Sequence, residues 1–174
     1  MKTDWKIDGI HSYIGFRITM LGIAGVRGHF NEYAGTLTKP NEDSWEGTTV
    51  DVDLQISSID TGNKLRDEHL AEEYFFDTAK YPTASFKGLS FVKEEKETYL
   101  LSGNLTIKGI TKPIELEVEF TGFAKDREGN DKAGFSATGK INREDFGIAH
   151  HIKLPDGSIF LSKKLKLQID AQLM

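Results

Sequence analysis

The sequence predicts an all-β protein whose strands form an antiparallel barrel of about eight strands. Apolar and polar residues alternate over most of the 174 residues, so each strand carries one apolar face. Turn signals separate most of these segments, and one segment near residues 61–72 has helical spacing instead. A closed barrel would bury every apolar face and leave no exposed sheet edge. A two-sheet sandwich with the same alternation is the alternative.

The alternation is clear in six segments and weaker in two. In a clear one, Val50, Val52 and Leu54 alternate with acidic residues. The predicted strands cover residues 13–20, 28–37, 50–56, 84–92, 99–107, 114–120, 135–141 and 164–171. Turns are expected at residues 39–43, 94–97, 125–131 and 155–157, which are rich in Pro, Gly, Asn, Asp and Glu.

A short helix is predicted at residues 63–71. Leu65 and His69 recur there at helical spacing, and the charged residues fall on the other side. Asp60 or Thr61 precedes the segment as a suitable N-cap. We expect this helix to lie across one end of the barrel.

Two local features indicate bends in the sheet. The glycine-rich residues 21–28 lack a Gly-Lys-Ser/Thr ending and precede no helical pattern, so they predict a sharp bend between two strands and not a phosphate loop. Lys163 interrupts the apolar face that Leu161 and Leu165 share. A β-bulge or a lysine that extends to solvent explains this break, and a ligand contact is the alternative.

The composition excludes several classes of function. With 22 basic and 27 acidic residues the net charge is −5, which argues against a general nucleic-acid or anionic-membrane surface role and allows only a local basic patch. The absence of cysteine excludes disulfides and thiol catalysis. No apolar run approaches the roughly 20 residues of a membrane span, so no stable membrane insertion is expected. No leader pattern follows Met1, so a cytoplasmic location is expected.

The polar residues form no recognisable catalytic or metal motif. The five histidines show neither a His-x-His nor a His-Glu-x-x-His spacing, so no metal site is predicted. His150 and His151 could chelate an ion together only in a loop, and a site built from histidines distant in sequence is the alternative. No nucleophile elbow is present, and we predict no enzyme activity. Arg66, Asp67 and His69 do form a charged cluster. They would either hold the helix against the barrel rim or act as a cationic gate for a polar head group.

Phenylalanine is the most abundant aromatic residue, with 11 of 174 positions. Eight of these rings are candidates to line or plug the interior: Phe16, Phe30, Phe75, Phe76, Phe86, Phe91, Phe120 and Phe135. Ordinary core packing explains any one of them. The whole set is typical of a pocket for an apolar ligand.

Several ordered blocks of the sequence resemble a known family over nearly the whole chain. The blocks are His11-Ser12 with Gly15-Phe16, Val26 to Phe30, Ser58-Ile59-Asp60-Thr61, Arg66-Asp67-Glu68-His69-Leu70, Phe75-Phe76-Asp77 with Tyr81-Pro82 and Phe86, Gly103 to Gly109, Thr111-Lys112-Pro113, and Arg143 to Ile148. Together they are similar to the YceI-like, polyisoprenoid-binding family. The chain departs from the family pattern at Gly88, where relatives often have Ser, and in lacking the secretion signal of many relatives.

The resemblance implies a lipocalin-like barrel of eight antiparallel strands with one helical insertion, and a single domain over residues 1–174. It implies a long apolar ligand inside the barrel, such as a polyprenyl phosphate or diphosphate, an isoprenoid quinone or a related fatty lipid, and it allows a homodimer. No other cofactor is expected. The protein would hold the lipid for transport, storage or sequestration. The alternatives are an enzyme that acts on such a lipid and a ligand-free barrel with a structural or stress-related role.

Twelve residues are the candidate ligand contacts. They are Ile14, Phe16, Ile18, Met20, Phe30, Val52, Leu54, Arg66, His69, Phe76, Phe86 and Leu101. Arg66 and His69 would lie near the head group, and the others would surround the apolar tail.

Overall fold

The computed structural model describes residues 3–157 and 160–174, which form a curled antiparallel sheet with one α-helix. The strands are β1 (Asp4–Lys6), β2 (Tyr13–Met20), β3 (Ala24–Phe30), β4 (Tyr33–Thr38), β5 (Thr49–Gln55), β6 (Ile59–Asp60), β7 (Thr83–Lys93), β8 (Thr98–Ile107), β9 (Ile110–Lys125), β10 (Asp131–Asn142) and β11 (Leu161–Leu173). The helix α1 is Lys64–Leu70, and short 3-10 helices occupy Ile56–Ser58 and Arg143–Phe146. The predicted all-β class with a helical insertion is confirmed.

The described residues form eleven strands where the sequence predicted eight, because one predicted strand is broken and two short strands are additional. The predicted strand at residues 28–37 is divided into β3 and β4. At the break the backbone N–H groups of Asn31 and Glu32 donate to Ser58 instead of to a neighbouring strand. The additional strands are β1, with three residues, and β6, with two. The prediction missed β1, since three residues are too few to show alternation.

The sheet order is β1-β4-β5-β7-β8-β9-β10-β11-β2-β3-β6. The N-terminal segment joins the two sides of this sheet at one end, because β1 pairs with β4 while Lys6 and Asp8 bond through their backbones to Met174 and Gln172. We call this the closed end. At the opposite end β3 pairs with β2 and with only two residues of β6. That end, which the 21–23 hairpin tip and α1 border, is called the mouth.

Aromatic side chains fill the closed end. Trp45, from the loop between β4 and β5, is buried against Phe135 at a ring distance of 4.7 Å and against Trp5 at 5.7 Å. Phe91 and Tyr99 stack beside them at 4.9 Å. These rings and Leu173 form the main cluster of buried apolar residues.

Most of the predicted turns and bends are present. The chain turns tightly at residues 21–23, where Leu21 and Gly22 have φ angles of 57° and 72°. The register of β11 against β2 shifts between Leu161 and Leu165, which confirms the bulge predicted around Lys163. The amino group of Lys163 lies 3.3 Å from a carboxylate oxygen of Glu144.

The N-cap of the helix lies two or three residues after the predicted N-caps. Asn63 is the N-cap, and its side-chain oxygen accepts a hydrogen bond from the Arg66 N–H at 3.0 Å. Asp60 instead accepts from the N–H of Gly62, which has a φ angle of 78°. The glycine therefore turns the chain between β6 and α1, and the cap follows it. In the described part of the chain no helix is long and apolar enough to cross a bilayer.

Candidate ligand cavity

A cavity of about 550 Å³ lies between the closed end and the mouth. Its wall is formed by inward side chains from β2 to β5 and from β7 to β11. Because every strand directs alternate residues inward, the wall is almost wholly apolar. Neighbouring inward residues also meet across strands, as Ile14, Ile169 and Phe30 do in adjacent registers.

The degree of burial divides the interior into two parts. Ile14, Phe16 and Phe86 point into the barrel but are only half-buried. Phe91 and Phe135, near the closed end, are buried. An inward apolar side chain keeps accessible surface only where no neighbour fills the space in front of it. Side chains therefore pack closely around Phe91 and Phe135 and leave unfilled space in front of Ile14, Phe16 and Phe86.

The structure places all twelve candidate contacts on the wall of this one cavity. They are Ile14, Phe16, Ile18, Met20, Phe30, Val52, Leu54, Arg66, His69, Phe76, Phe86 and Leu101. Their contact with a ligand stays a prediction. Of the eight phenylalanines singled out in the sequence, Phe120 alone does not line the cavity, because it packs against Trp45 and Phe123 at the closed end.

The polar residues of the lining come from segments at the mouth. They are Thr61, Asn63, Arg66, His69, Arg143 and His150, with Ser85 near the start of β7. Two of these residues are arginines and two are histidines, and no carboxylate lines the cavity among the described residues. The electrostatic potential at the mouth therefore favours an anionic or hydrogen-bond-accepting group.

The Arg66 side chain is held at the mouth by Thr61. Its Nε donates to the Thr61 hydroxyl at 2.7 Å, and its Nη2 donates to the Thr61 carbonyl at 2.6 Å. The Asp67 carboxylate accepts from the same hydroxyl at 2.5 Å and from the Thr61 N–H at 3.1 Å. Arg66 and Asp67 thus both anchor α1 to the chain that follows β6, which supports the structural reading of the charged cluster. Arg66 also lines the cavity, so a contact with a head group remains compatible with this anchoring.

Arg143 is a mouth residue that the sequence did not identify as functional. Its buried guanidinium donates to the carbonyls of Ser162, Ile148, His150 and Leu161 at 2.7–3.2 Å. Burial lowers its pKa from the ordinary value. Because these acceptors belong to residues 148–150 and 161–162, Arg143 holds these two stretches of the chain together at the mouth. Only the block Arg143 to Ile148 in the family resemblance pointed to this position.

His151 links Arg143 to a neighbouring carboxylate. Its Nδ1 lies 3.2 Å from the Arg143 Nη2, and its Nε2 lies 2.5 Å from a Glu144 oxygen. The Arg143 guanidinium can only donate hydrogen bonds, so Nδ1 of His151 accepts one from it. The Nε2–H of His151 then donates a hydrogen bond to Glu144. Burial raises the pKa of Glu144, but hydrogen bonds from His151 and Lys163 oppose this and hold the pKa below its ordinary value.

The adjacent His150 has a different environment. Its ring packs 4.8 Å from Tyr74 and 5.4 Å from Phe75. His150 and His151 lie in a loop, where the sequence left joint chelation open, but one packs on aromatic rings and the other bonds to Glu144. Among residues 3–157 and 160–174 no group of three metal-ligating side chains is close enough to hold an ion.

The fold and the cavity define a hollow antiparallel β-barrel with one polar mouth. The family model described as the YceI-like domain matches residues 5–173, and the chain belongs to this family. Protein YceI of Escherichia coli is 40% identical over 150 residues, which are 85% of this chain and 78% of that protein.

Solved structures share the fold. The crystal structure of the Campylobacter jejuni YCEI protein is 35% identical, with a TM-score of 0.75 over 95% of this chain and 94% of that one. A polyisoprenoid-binding domain from Saccharophagus degradans superposes with a TM-score of 0.69 over 99% and 98% of the two chains. The latter is only 13% identical, so its likeness concerns the fold alone.

Proposed function

We propose that the protein binds the apolar chain of an isoprenoid or related fatty lipid inside the barrel, with the polar head at the mouth. The observation that carries this proposal is the unfilled apolar cavity with polar groups at one end only. Membership of the YceI-like family supports it, as does the shared fold of a domain described as polyisoprenoid-binding. The protein would then carry, store or sequester such a lipid.

The size of the cavity is compatible with a long tail. If a methylene group takes about 30 Å³, similar to a water molecule in the liquid, a volume of about 550 Å³ holds on the order of 18 carbons. Their burial contributes about 14 kcal/mol at about 0.8 kcal/mol each. Association and ordering cost about 4–15 kcal/mol, so burial of the tail can compensate for most of the cost of binding. An apolar wall discriminates poorly between tails, and selectivity would come from the mouth.

The charges at the mouth favour an anionic head group, such as a phosphate or carboxylate. Arg66 and His69 both line the cavity there, and no described carboxylate does. Asp67, the acidic member of the cluster, is bound to Thr61 and stabilises the start of α1. This arrangement supports a binding site more than a catalytic one, since the Thr61 hydroxyl beside Asp67 is also engaged by the Arg66 Nε and serves to anchor the helix. The expected homodimer remains a prediction, which analytical ultracentrifugation would test.

Uptake of a fluorescent fatty acid and of a polyprenyl phosphate would test the proposal. We expect saturable uptake at one site, and Leu54→Glu, which places a carboxylate on the cavity wall, should weaken it at least tenfold. Gln55→Glu on the outer face of the same strand is the matched control and should bind as the parent does. No uptake of either lipid, together with no lipid recovered by organic extraction of the purified protein, would show that the cavity is not a lipid site.

A second comparison tests the head group. Arg66→Ala should weaken binding of the polyprenyl phosphate about tenfold and change binding of an isoprenoid quinone little, because a neutral head needs no guanidinium. Each lipid serves as the control for the other on the same variant, so a general loss of structure would weaken both. Equal loss for the two lipids would contradict the anionic assignment.

A further inference from the structure

The outer face of the sheet carries a row of four cations near the mouth. Lys140 of β10 faces Lys166 of β11, Lys166 faces Arg17 of β2, and Arg17 faces Arg27 of β3. All four side chains are exposed. Neighbouring strands are about 4.8 Å apart, so the row crosses about 15 Å of surface. We call these four residues the basic row.

The basic row does not stabilise the sheet. Like charges placed directly opposite each other across strands are destabilising. In the described ranges no carboxylate lies within 4 Å of any of the four charged groups. Four neighbouring strands therefore each carry a cation at the same level of the sheet, and none of these cations has an ion-pair partner among the described residues. Such a surface is complementary to an extended anionic partner.

An apolar hairpin tip lies beyond the basic row. Leu21 is 44% exposed and Ile23 is 88% exposed, on the turn that joins β2 to β3. Met20 and Val26, on either side of the tip, line the cavity. The Leu21 N–H donates to the Phe160 carbonyl at 2.8 Å, which extends the pairing of β2 with β11 at Leu161 as far as the tip. The exposed apolar tip is therefore continuous with the cavity wall.

The distances suit a lipid surface. Arg17 precedes Leu21 by four residues, which is about 13 Å along a strand, or about 10 Å along the barrel axis when the strand is tilted by about 40°. Apolar side chains at a bilayer interface are buried by about 5–10 Å, with cations level with the head groups. Nucleic acids and acidic peptides would use the charges but would leave the exposed Leu21 and Ile23 without a partner.

We propose that the protein docks through the hairpin tip and the basic row on the surface of an anionic lipid bilayer. The tip enters the interface while the four cations contact lipid phosphates, which brings the mouth against the membrane. A lipid can then move between the bilayer and the barrel without crossing water. This step goes beyond the proposed function, and docking itself requires no ligand in the barrel.

On the outer face Glu117 of β9 lies opposite Thr138, two residues from Lys140, so the Lys140 end of the basic row adjoins acidic residues. The carboxylates around the mouth are already paired. Glu144 is bound to His151 and Lys163, and Asp67 is bound to Thr61. Glu68 lies 4.0 Å from Lys64. The net charge of −5 instead disfavours other faces of the protein, since they hold the excess of acidic residues. Docking should therefore occur in one orientation.

Flotation with vesicles tests the proposal on the full chain. We expect at least tenfold stronger partitioning to phosphatidylcholine vesicles with about 30% phosphatidylglycerol than to phosphatidylcholine alone, and loss of the difference in about 0.5 M salt. Arg27→Glu and Lys166→Glu should each weaken partitioning at least fivefold. Ile23→Asp should weaken it to a similar extent, because the tip would no longer enter the interface.

Matched variants provide the controls. Ile10→Asp is the control for the hairpin tip, because Ile10 is 89% exposed in the loop before β2. Lys93→Glu is the control for the basic row, because Lys93 ends β7 at the closed end. Both should float as the parent does. Equal partitioning to neutral and anionic vesicles, no partitioning, or an equal loss with Ile10→Asp would overturn the proposal. Uptake of a soluble fatty acid, measured without vesicles, should be unchanged in Ile23→Asp, so failure of docking and failure of lipid binding are distinguishable.

Discussion

The closed end and the mouth are built from the same alternating strands but have opposite interiors. At the closed end the rings of Trp45 and Phe91 pack against Phe135, and all three side chains are buried. Elsewhere on the wall, inward residues such as Phe16 and Phe86 are only half-buried and face the cavity. The difference comes from a side chain that no strand supplies. Trp45 enters from the loop between β4 and β5 and is buried among Trp5, Phe120 and Phe135, whereas Phe75 and Phe76, which follow α1 at the mouth, are only half-buried.

Truncation at the closed end should have the largest effect on stability. Trp45→Ala should lower the free energy of unfolding by about 3–5 kcal/mol, because Trp45 is 4% exposed and packs on Trp5, Phe120 and Phe135. Urea denaturation followed by circular dichroism measures it. A loss below about 1 kcal/mol would mean that the closed end is not packed as described.

A lipid bound in the cavity should raise the free energy of unfolding and should protect chiefly the strands and helix near the mouth. A bound lipid at about 100 times its dissociation constant adds about 2.7 kcal/mol to the free energy of unfolding. For a chain of this size that raises the melting temperature by about 5–10 °C. Hydrogen exchange should slow in β2, β3 and α1 and change little around Trp45. Uniform slowing would contradict the division into two ends.

Removing Arg143 should release one edge of the mouth. Arg143→Ala leaves the carbonyls of Ile148, His150 and Leu161 without their donor, and we expect a loss of about 2 kcal/mol. The loss should be local, so that limited proteolysis cuts within residues 148–162 while the rest of the chain resists. Arg127→Ala, in the turn between β9 and β10, is the control and should be cut as slowly as the parent.

Truncation of the cavity wall should cost less than truncation of the closed end. Ile14→Ala is expected to lower the free energy of unfolding by about 1–2 kcal/mol, because part of this side chain already faces unfilled space. The same denaturation measurement applies. A cost equal to that of Trp45→Ala would show that the interior is packed throughout.

The hydrogen bond between Asp8 and His11 should have the smallest effect on stability, and this effect should depend on pH. The pKa of Asp8 is lowered chiefly by a hydrogen bond from His11, at 2.9 Å, against the opposing effect of burial. A lowered pKa in the folded state means that the unfolded state binds more protons, so the stabilisation is present above about pH 4 and is lost as the pH falls through the folded-state value. Asp8→Asn should cost about 1 kcal/mol at pH 7 and less at pH 3. Denaturation at the two pH values compares them, and an equal cost at both would show that the carboxylate charge is not the cause.

Much of the cavity could be predicted from the strand pattern. Period-two alternation decides which residues share a face, and this was enough to place Ile14, Val52 and Leu101 on the inside. The bulge at Lys163 was also predictable, because a charged residue on an apolar face requires a change of register. The N-cap at Asn63 was missed because the left-handed turn at Gly62 delays the helix, which local propensity does not reveal.

The sequence by itself determined the strand class, the inward set of side chains and the position of the helix, because each depends on residues close together in the chain. Only the tertiary structure decided that Trp45 blocks one end, that Arg143 holds the 148–162 segment, and that Lys140, Lys166, Arg17 and Arg27 form one row. These features depend on strand register and on contacts between residues distant in sequence. No local periodicity encodes them, since they arise when the sheet curls and brings the chain's two ends together.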